Sequence, residues 1–289
     1  MKLFILAVDA LEYDFIESRD YAHLKQEQFF KVKIPRRCMT IFEDGNLSPW
    51  TPLIWKAILT GGISQRKPKP KPEQHWVGKL LKNKLLTRIR LARGINSLYR
   101  FLVSKLSKAP AIQEIRRGIP LQDQHTIMVR ADNPAVINNP LEAPIEWGVP
   151  KALHSDFHPR EIVRSHLEKF RKIKKETLSK VDRDWDLFLI YNKLLDIVGH
   201  LYWQKNHTVE KYYSIMDNFA GEIQRKLSDE AFMVIISDHG MRPLKGTKHQ
   251  GGEHSHHAFV SFNHKLPIGK LSFTDIYPLL TEIMEEQTI

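Results

Sequence analysis

The sequence predicts an α/β protein with a buried, largely parallel central sheet flanked by helices. Three observations carry this. Apolar runs of strand length, without polar alternation, occur at Leu3–Val8, Thr126–Val129, Leu187–Tyr191, Met233–Ile236 and Phe259–Phe262. Helical patterns lie between and after them, at about 160–180, 208–228 and 273–286. Two of the runs end on an acidic residue, Val8-Asp9 and Ile236-Ser237-Asp238. Open α/β sheets bind ligands at the carboxyl ends of their strands, so these acids stand where chemistry is expected.

Taken in order, Leu3–Val8 reads as a buried first strand. It is shorter than the apolar stretch of a signal peptide, and Asp9, Glu12 and Asp14 follow at once. No run approaches the ~18 apolar residues of a spanning helix, so no transmembrane segment is expected and the default compartment is the cytoplasm. Thr51 precedes the apolar stretch Leu53–Leu59 and reads as an N-cap. Such a helix start also offers N–H groups to phosphate oxygens.

Residues 66–117 differ from the rest, opening with Arg66-Lys67-Pro68-Lys69-Pro70-Lys71-Pro72, a semi-rigid basic stretch. The segment carries 15 basic against two acidic residues, +13, which leaves the remaining chain at −2 of the total +11. Its apolar positions, Val77, Leu81, Leu85, Ile89, Ala92, Ile95, Tyr99, Leu102 and Leu106, recur at helical spacing. Such a helix suits a lid over an anionic substrate, an anionic membrane surface, or nucleic acid. Residues 131–158 are Pro-rich and read as loop.

Composition narrows the chemistry. With 289 residues, 42% hydrophobic and 27% charged, the chain is neither collagenous, disordered nor repetitive. The single cysteine, Cys38, excludes an internal disulfide and a cysteine zinc cluster. Metals would have to sit on carboxylates and the 14 histidines.

Four segments could supply them. Val234-Ile235-Ile236-Ser237-Asp238-His239-Gly240 sets a carboxylate beside an imidazole at a strand end. Asp196-Ile197-Val198-Gly199-His200 places an acid and an imidazole four residues apart, on one face of a helix. Gly251-Gly252-Glu253-His254 offers an imidazole that could close the site opened by Asp196 and His200, whereas His249, His256 and His257 read as incidental. Thr51 offers a hydroxyl that a bound metal would turn toward its alkoxide. Each segment alone also has an ordinary reading: a surface cap, a solvated helix face or a His-rich loop.

In chain order, Asp9, Thr51, Asp196-x-x-x-His200, Asp238-His239-Gly240 and Gly252-x-His254 resemble the alkaline phosphatase superfamily. The branch they resemble is the type I phosphodiesterase/nucleotide pyrophosphatase group. Asp9-Ala10-x-x-x-Asp14 is similar to that group's Asp-Gly-x-x-x-Asp opening, and Trp55 and His200-Leu201-Tyr202-Trp203 also fit it. The resemblance covers residues 1–62 and about 180–262. It implies an alkaline-phosphatase-like catalytic domain from 1–62 and 120–289, with 63–119 as a basic helical insertion.

The resemblance also implies a site with two divalent ions, zinc or manganese. One would be held by Asp9, Thr51, Asp238 and His239, the other by Asp196, His200 and His254. Thr51 would be the nucleophile, forming a phospho-threonine that water then cleaves. The substrate would be an anionic phosphate ester, with phosphodiesters or nucleotide pyrophosphates ahead of monoesters. Two positions depart from the group's pattern: Ile54 stands where diester-cleaving members often carry Asn, and Pro52 directly follows Thr51. Lys56 is the candidate to take over substrate binding. The alternatives are a phosphomutase of the phosphoglycerate mutase type, and a membrane- or nucleic-acid-binding module with weak catalysis. Oligomeric state is left open.

Overall fold

Alternation along the first strand explains the layering. In β1 (Lys2–Val8), Leu3, Ile5 and Ala7 point into one core and Phe4, Leu6 and Val8 into the other, all fully buried. A strand covered on both faces has no reason to alternate with polar residues, hence the continuous apolar run. The structure, a computed structural model, describes residues 2–41, 47–62, 126–143, 159–244 and 250–285. The basic segment 66–117, and with it the proposed insertion and its lid, membrane and nucleic-acid readings, lies outside the described residues, as does His249.

The main sheet has six strands. Besides β1 these are β2 (Gln28–Lys33), β5 (Pro134–Ile137), β6 (Leu187–Asn192), β7 (Ala231–Ser237) and β10 (His257–Phe262), in the order β2-β10-β7-β1-β6-β5. Only β10 runs against the others, pairing antiparallel with both β7 and β2. Two small antiparallel pairs flank the sheet: β3 (Met39–Ile41) with β4 (Leu47–Pro49), and β8 (Met241–Pro243) with β9 (Gly252–His254). The mostly parallel sheet flanked by helices is the class the sequence predicted.

Short helices α1 (Tyr13–Glu17) and α2 (Ala22–Lys25) follow β1. The Phe4 face is covered by α4 (Pro159–Leu178), α5 (Leu194–Tyr202) and α6 (Asn206–Gln224), through Phe170, Ile197, Leu201, Tyr213 and Phe219. The opposite face is covered by α3 (Thr51–Thr60) and α7 (Ile276–Glu285), through Ile54, Trp55, Ile58, Ile276 and Leu280. Trp55 is fully buried and meets Tyr191 of β6 edge-to-face at 5.5 Å. Burying side chains of this size stabilises by roughly 2–3 kcal/mol each, and here it fixes the start of α3 against the central strands.

Three expectations need correction. Thr126–Val129 is no strand: Ile127–Val129 form one 3-10 turn, and Ile127 packs under the sheet while Val129 is exposed. The adjacent edge strand is β5 instead, inside the stretch read as loop. It opens on Pro134, which an edge strand tolerates because its first N–H need not join the ladder. Thr51 is not the N-cap of α3. Trp50 is, and Thr51 is the first helical residue.

Register brings the chemistry to one edge. Val8 pairs with Asn192 and Ala7 with Ile236, so β1, β6 and β7 end level. The Asp9 N–H still donates to Asn192 O at 3.0 Å. The residues that follow, Asp9, Asp196 at the start of α5, and Asp238, therefore emerge side by side.

Candidate metal centre

Each site residue is placed by a turn that the local sequence requires. Asp9 follows β1, and Ala10 behind it takes a left-handed φ of 63°, which turns the chain sharply and leaves the carboxylate at the strand end. Asp238 and His239 follow β7, where Ser237 Oγ accepts from Leu11 N at 2.8 Å and donates to His239 O at 2.6 Å, locking two turns together. Asp196 and His200 share a face of α5, with Oδ1 and Nε2 3.2 Å apart. His254 ends β9. The loop before β9 crosses so closely over α5 that a Cβ on Gly251 would lie 2.0 Å from His200 O, so only glycine fits.

The structure brings all seven predicted residues together. His239 Nε2 lies 3.1 Å from Thr51 Oγ1, 3.3 Å from Asp9 Oδ1 and 3.3 Å from Asp238 Oδ2. His254 Nε2 lies 3.0 Å from His200 Nε2 and 3.6 Å from Asp196 Oδ1. The two groups join through the His239 and His254 rings, stacked at 3.7 Å. Donor atoms of Asp196, His200 and His254 all fall within 4.8 Å of one another, as do those of Asp9, Asp196 and His239. Asp196 thus reaches both groups, where the sequence assigned it to one.

Proton bookkeeping shows what the arrangement lacks. His200 Nδ1 sits 3.1 Å from Gly252 O, His239 Nδ1 3.0 Å from Gly240 O, and His254 Nδ1 3.2 Å from Pro49 O. A carbonyl can only accept, so each neutral ring carries its proton on Nδ1 and turns a lone pair on Nε2 inward. Three lone pairs then face three carboxylates. Both Asp238 oxygens, Asp9 Oδ1 and Asp196 Oδ1 are buried without a hydrogen-bond partner. Buried acceptors pointing at one another are costly unless a cation sits among them. Imidazoles anchored this way through the other ring nitrogen are also the usual form of metal-bound histidine. These residues therefore fit divalent ions.

Electrostatics agree. Burial, with the nearby Asp196 charge, raises Asp9 to a pKa of about 6. Burial, with Asp9 and Asp196, pushes Asp238 well above the carboxylate range. Burial lowers His239 to about 4, and burial with His239 beside it lowers His254 to about 4, keeping both rings neutral. Burial opposes charging Asp196 and His200, but their mutual attraction prevails and moves Asp196 down and His200 up. Without an ion, a proton on His200 fills the gap between its Nε2 and those neighbours. An arriving ion must displace protons from His200 and Asp238, and below about pH 6 from Asp9 as well. Ion affinity should therefore fall steeply as pH drops from 7 to 5, through the Asp9 pKa, in zinc titrations at pH 7.5, 6.5 and 5.5. A pH-independent affinity would contradict this protonation scheme.

Other sequence candidates lie elsewhere. Lys56 is five residues along α3 from Thr51, about 140° round the helix, and is half-buried. Asp14 pairs with Lys31 at 2.6 Å on the surface. His256 meets Leu47 O at 3.2 Å and His257 opens β10. Two residues had no sequence signal. The Tyr191 hydroxyl donates to Asp9 Oδ2 at 2.5 Å, and the Lys193 charge works to lower the Asp9 pKa. Both follow from position, since β6 ends on Tyr191-Asn192 beside Asp9 with Lys193 next in the chain, and only the strand order shows that.

Comparison with known proteins finds a family that this chain resembles over part of its length. The sequence profile of the type I phosphodiesterase / nucleotide pyrophosphatase family matches residues 126–261, which include Asp196, His200, Asp238, His239 and His254. The matched stretch thus holds five of the seven residues of the candidate metal centre.

Among curated proteins, it is 31% identical over 62 residues to GPI ethanolamine phosphate transferase 2 of Kluyveromyces lactis, covering 22% of this chain and 8% of that protein. It is 32% identical over 60 residues to GPI ethanolamine phosphate transferase 3 of Saccharomyces cerevisiae, covering 21% and 6%. The chain thus matches less than a tenth of the length of these relatives. Among solved structures, a magnesium-bound variant of TAB5 alkaline phosphatase aligns over 98% of this chain and 97% of its own, at 11% identity and a TM-score of 0.43. No described helix is long and apolar enough to cross a membrane.

Proposed function

We propose that this protein cleaves phosphodiester or nucleotide pyrophosphate bonds through a phospho-threonine on Thr51. One observation carries the reading: three inward Nε2 lone pairs and three buried carboxylates converge beside the hydroxyl at the start of α3. Two ions suit this donor set. Asp9, Asp238, His239 and Thr51 would hold one, and Asp196, His200 and His254 the other. The mixture of imidazole and carboxylate suits zinc or manganese. Bound there, such ions supply the positive charge that favours the Thr51 alkoxide and steadies phosphate oxygens.

The chain's own residues do the rest. Thr51 gives up its proton to solvent and its Oγ1 forms a bond to phosphorus, while the leaving oxygen departs with its bonding pair. Water then cleaves the same Oγ1–phosphorus bond and restores the hydroxyl. Tyr191 holds Asp9 in place throughout. Lys193, whose charge is felt at Asp9, is better placed than Lys56 to meet an anionic substrate.

A second reading takes its support from the two phosphoethanolamine transferase matches. The first half-reaction is the same, but an alcohol rather than water accepts the phosphoryl group. Full-length protein reconstituted with zinc or manganese should release nitrophenol faster from bis-nitrophenyl phosphate than from nitrophenyl phosphate. Adding a primary alcohol should divert product only if the transferase reading holds. Inactivity toward both esters with either ion, or turnover of the monoester alone, would overturn the diesterase assignment.

A further inference from the structure

One buried acid takes no part in the chemistry above. Glu12 lies three residues after Asp9 and is 5% exposed. Its Oε1 accepts from Asp14 N at 3.2 Å, which caps α1. Its Oε2 has a different partner, Ser255 Oγ, 243 residues away and 2.6 Å distant. Ser255 directly follows His254, and its N–H donates to Gly240 O at 2.9 Å. Gly240 directly follows His239, and a Cβ there would lie 2.1 Å from Glu12 Oε2 and 2.7 Å from Ser255 Oγ. The Glu12 N–H is itself held by Tyr213 Oη at 2.9 Å.

A helix cap needs one carboxylate oxygen, and an exposed Ser or Asp would serve. Burying the second oxygen costs free energy, and burial does raise the Glu12 pKa against the help of Ser255 and Asp14 N–H. The nearby Lys31 offers little relief, being paired with Asp14 at 2.6 Å. The second oxygen therefore calls for its own explanation. The three turns that meet at Glu12 each carry a proposed metal ligand: Asp9, His239 and His254.

We infer that Glu12 is a positioning residue that sets the spacing between the two halves of the metal centre, joining the Asp9 and His239 turns to the His254 turn through Ser255. The inference rests on the two-ion reading. Glu12 touches no ligand directly. It acts by holding the Ser255 hydroxyl in the space that glycine leaves open at position 240.

The test is zinc titration of the full chain by calorimetry, with the cobalt(II) absorption spectrum as a report on ligand geometry. Thermal melts in chelator check that each ion-free variant is folded. Glu12→Ala should weaken zinc binding about 10- to 100-fold, the range for residues that orient metal ligands, and should alter the cobalt spectrum. Glu12→Gln keeps the shape and can serve only one of the two partners well, so its loss should be smaller. Ser255→Ala should resemble it, and the Glu12→Gln/Ser255→Ala double variant should be no worse than the poorer single, because both cut one link.

Wild-type zinc affinity and an unchanged cobalt spectrum in Glu12→Gln and Ser255→Ala would overturn the inference while leaving the metal centre standing. So would fully additive losses, or losses that only track a lower melting temperature of the ion-free variants. A wild-type protein that binds no zinc or cobalt would overturn the two-ion reading, and this inference with it.

Discussion

Thr51→Ala should abolish turnover, by a factor on the order of 10³ or more as for other covalent nucleophiles, with both ions still bound. The substitution is well suited to separate chemistry from folding. Thr51 is the first residue of α3, and the helix is held by the buried Ile54, Trp55 and Ile58, none of which the substitution touches. Alanine is at least as good a helix former as threonine. The lost contact is one hydroxyl, 3.1 Å from His239 Nε2, while Asp9 and Asp238 still flank that ring. Thr51→Ser should keep partial activity, since the hydroxyl survives and only the methyl that restricts its rotamer is gone. Steady-state rates with metal content measured on the same preparations decide the matter. Near wild-type hydrolysis by Thr51→Ala would remove Thr51 as nucleophile.

Removing single ligands should have unequal effects on ion content. His254 belongs to one group only, so His254→Ala should leave close to one ion per chain. Asp196 reaches both groups, its Oδ1 lying 3.2 Å from His200 Nε2 while its donor atom also falls within 4.8 Å of those of Asp9 and His239. Asp196→Ala should therefore bind little of either ion. Both variants should lose more than about 100-fold in turnover, beyond what outer positions cost. Elemental analysis of dialysed protein gives the stoichiometry directly. Equal ion content in the two variants would show that Asp196 serves one ion only, as the sequence first assigned it.

Much of this was legible in the sequence, for identifiable reasons. β1, β6 and β7 are buried on both faces, so Leu3–Val8, Leu187–Tyr191 and Met233–Ile236 announce themselves as unbroken apolar runs. The edge strands did not. β2 mixes Lys31 and Lys33 with Phe29, Phe30 and Val32, and β5 has only four residues beginning with proline, since an edge needs less apolar surface and tolerates both. Thr126–Val129 was misread because a short apolar run has no period, and a 3-10 turn under a sheet edge buries Ile127 as well as a strand would.

The seven candidate residues could be picked out as a group because their side chains are chemically rare in such positions and their order follows a known pattern. Tyr191, Lys193 and Glu12 were not, because what makes each matter is a neighbour from a distant part of the chain: Asp9 for the first two and Ser255 for the third. Lys56 was favoured by closeness in sequence alone.

The anchors of the three imidazoles bear on how the centre tolerates genetic change. Each ring is oriented by a main-chain carbonyl, of Gly252, Gly240 or Pro49, with no supporting side chain in that role. A carbonyl survives every substitution at its own residue, so ordinary drift in the surroundings does not reach the ring tautomers. Fragility is moved onto the path of the backbone, at Gly240, Gly251 and Gly252, where any added side chain meets atoms within 3 Å. A saturation screen of this region would thus divide sharply, intolerant at the ligands and these glycines and permissive at most positions between them.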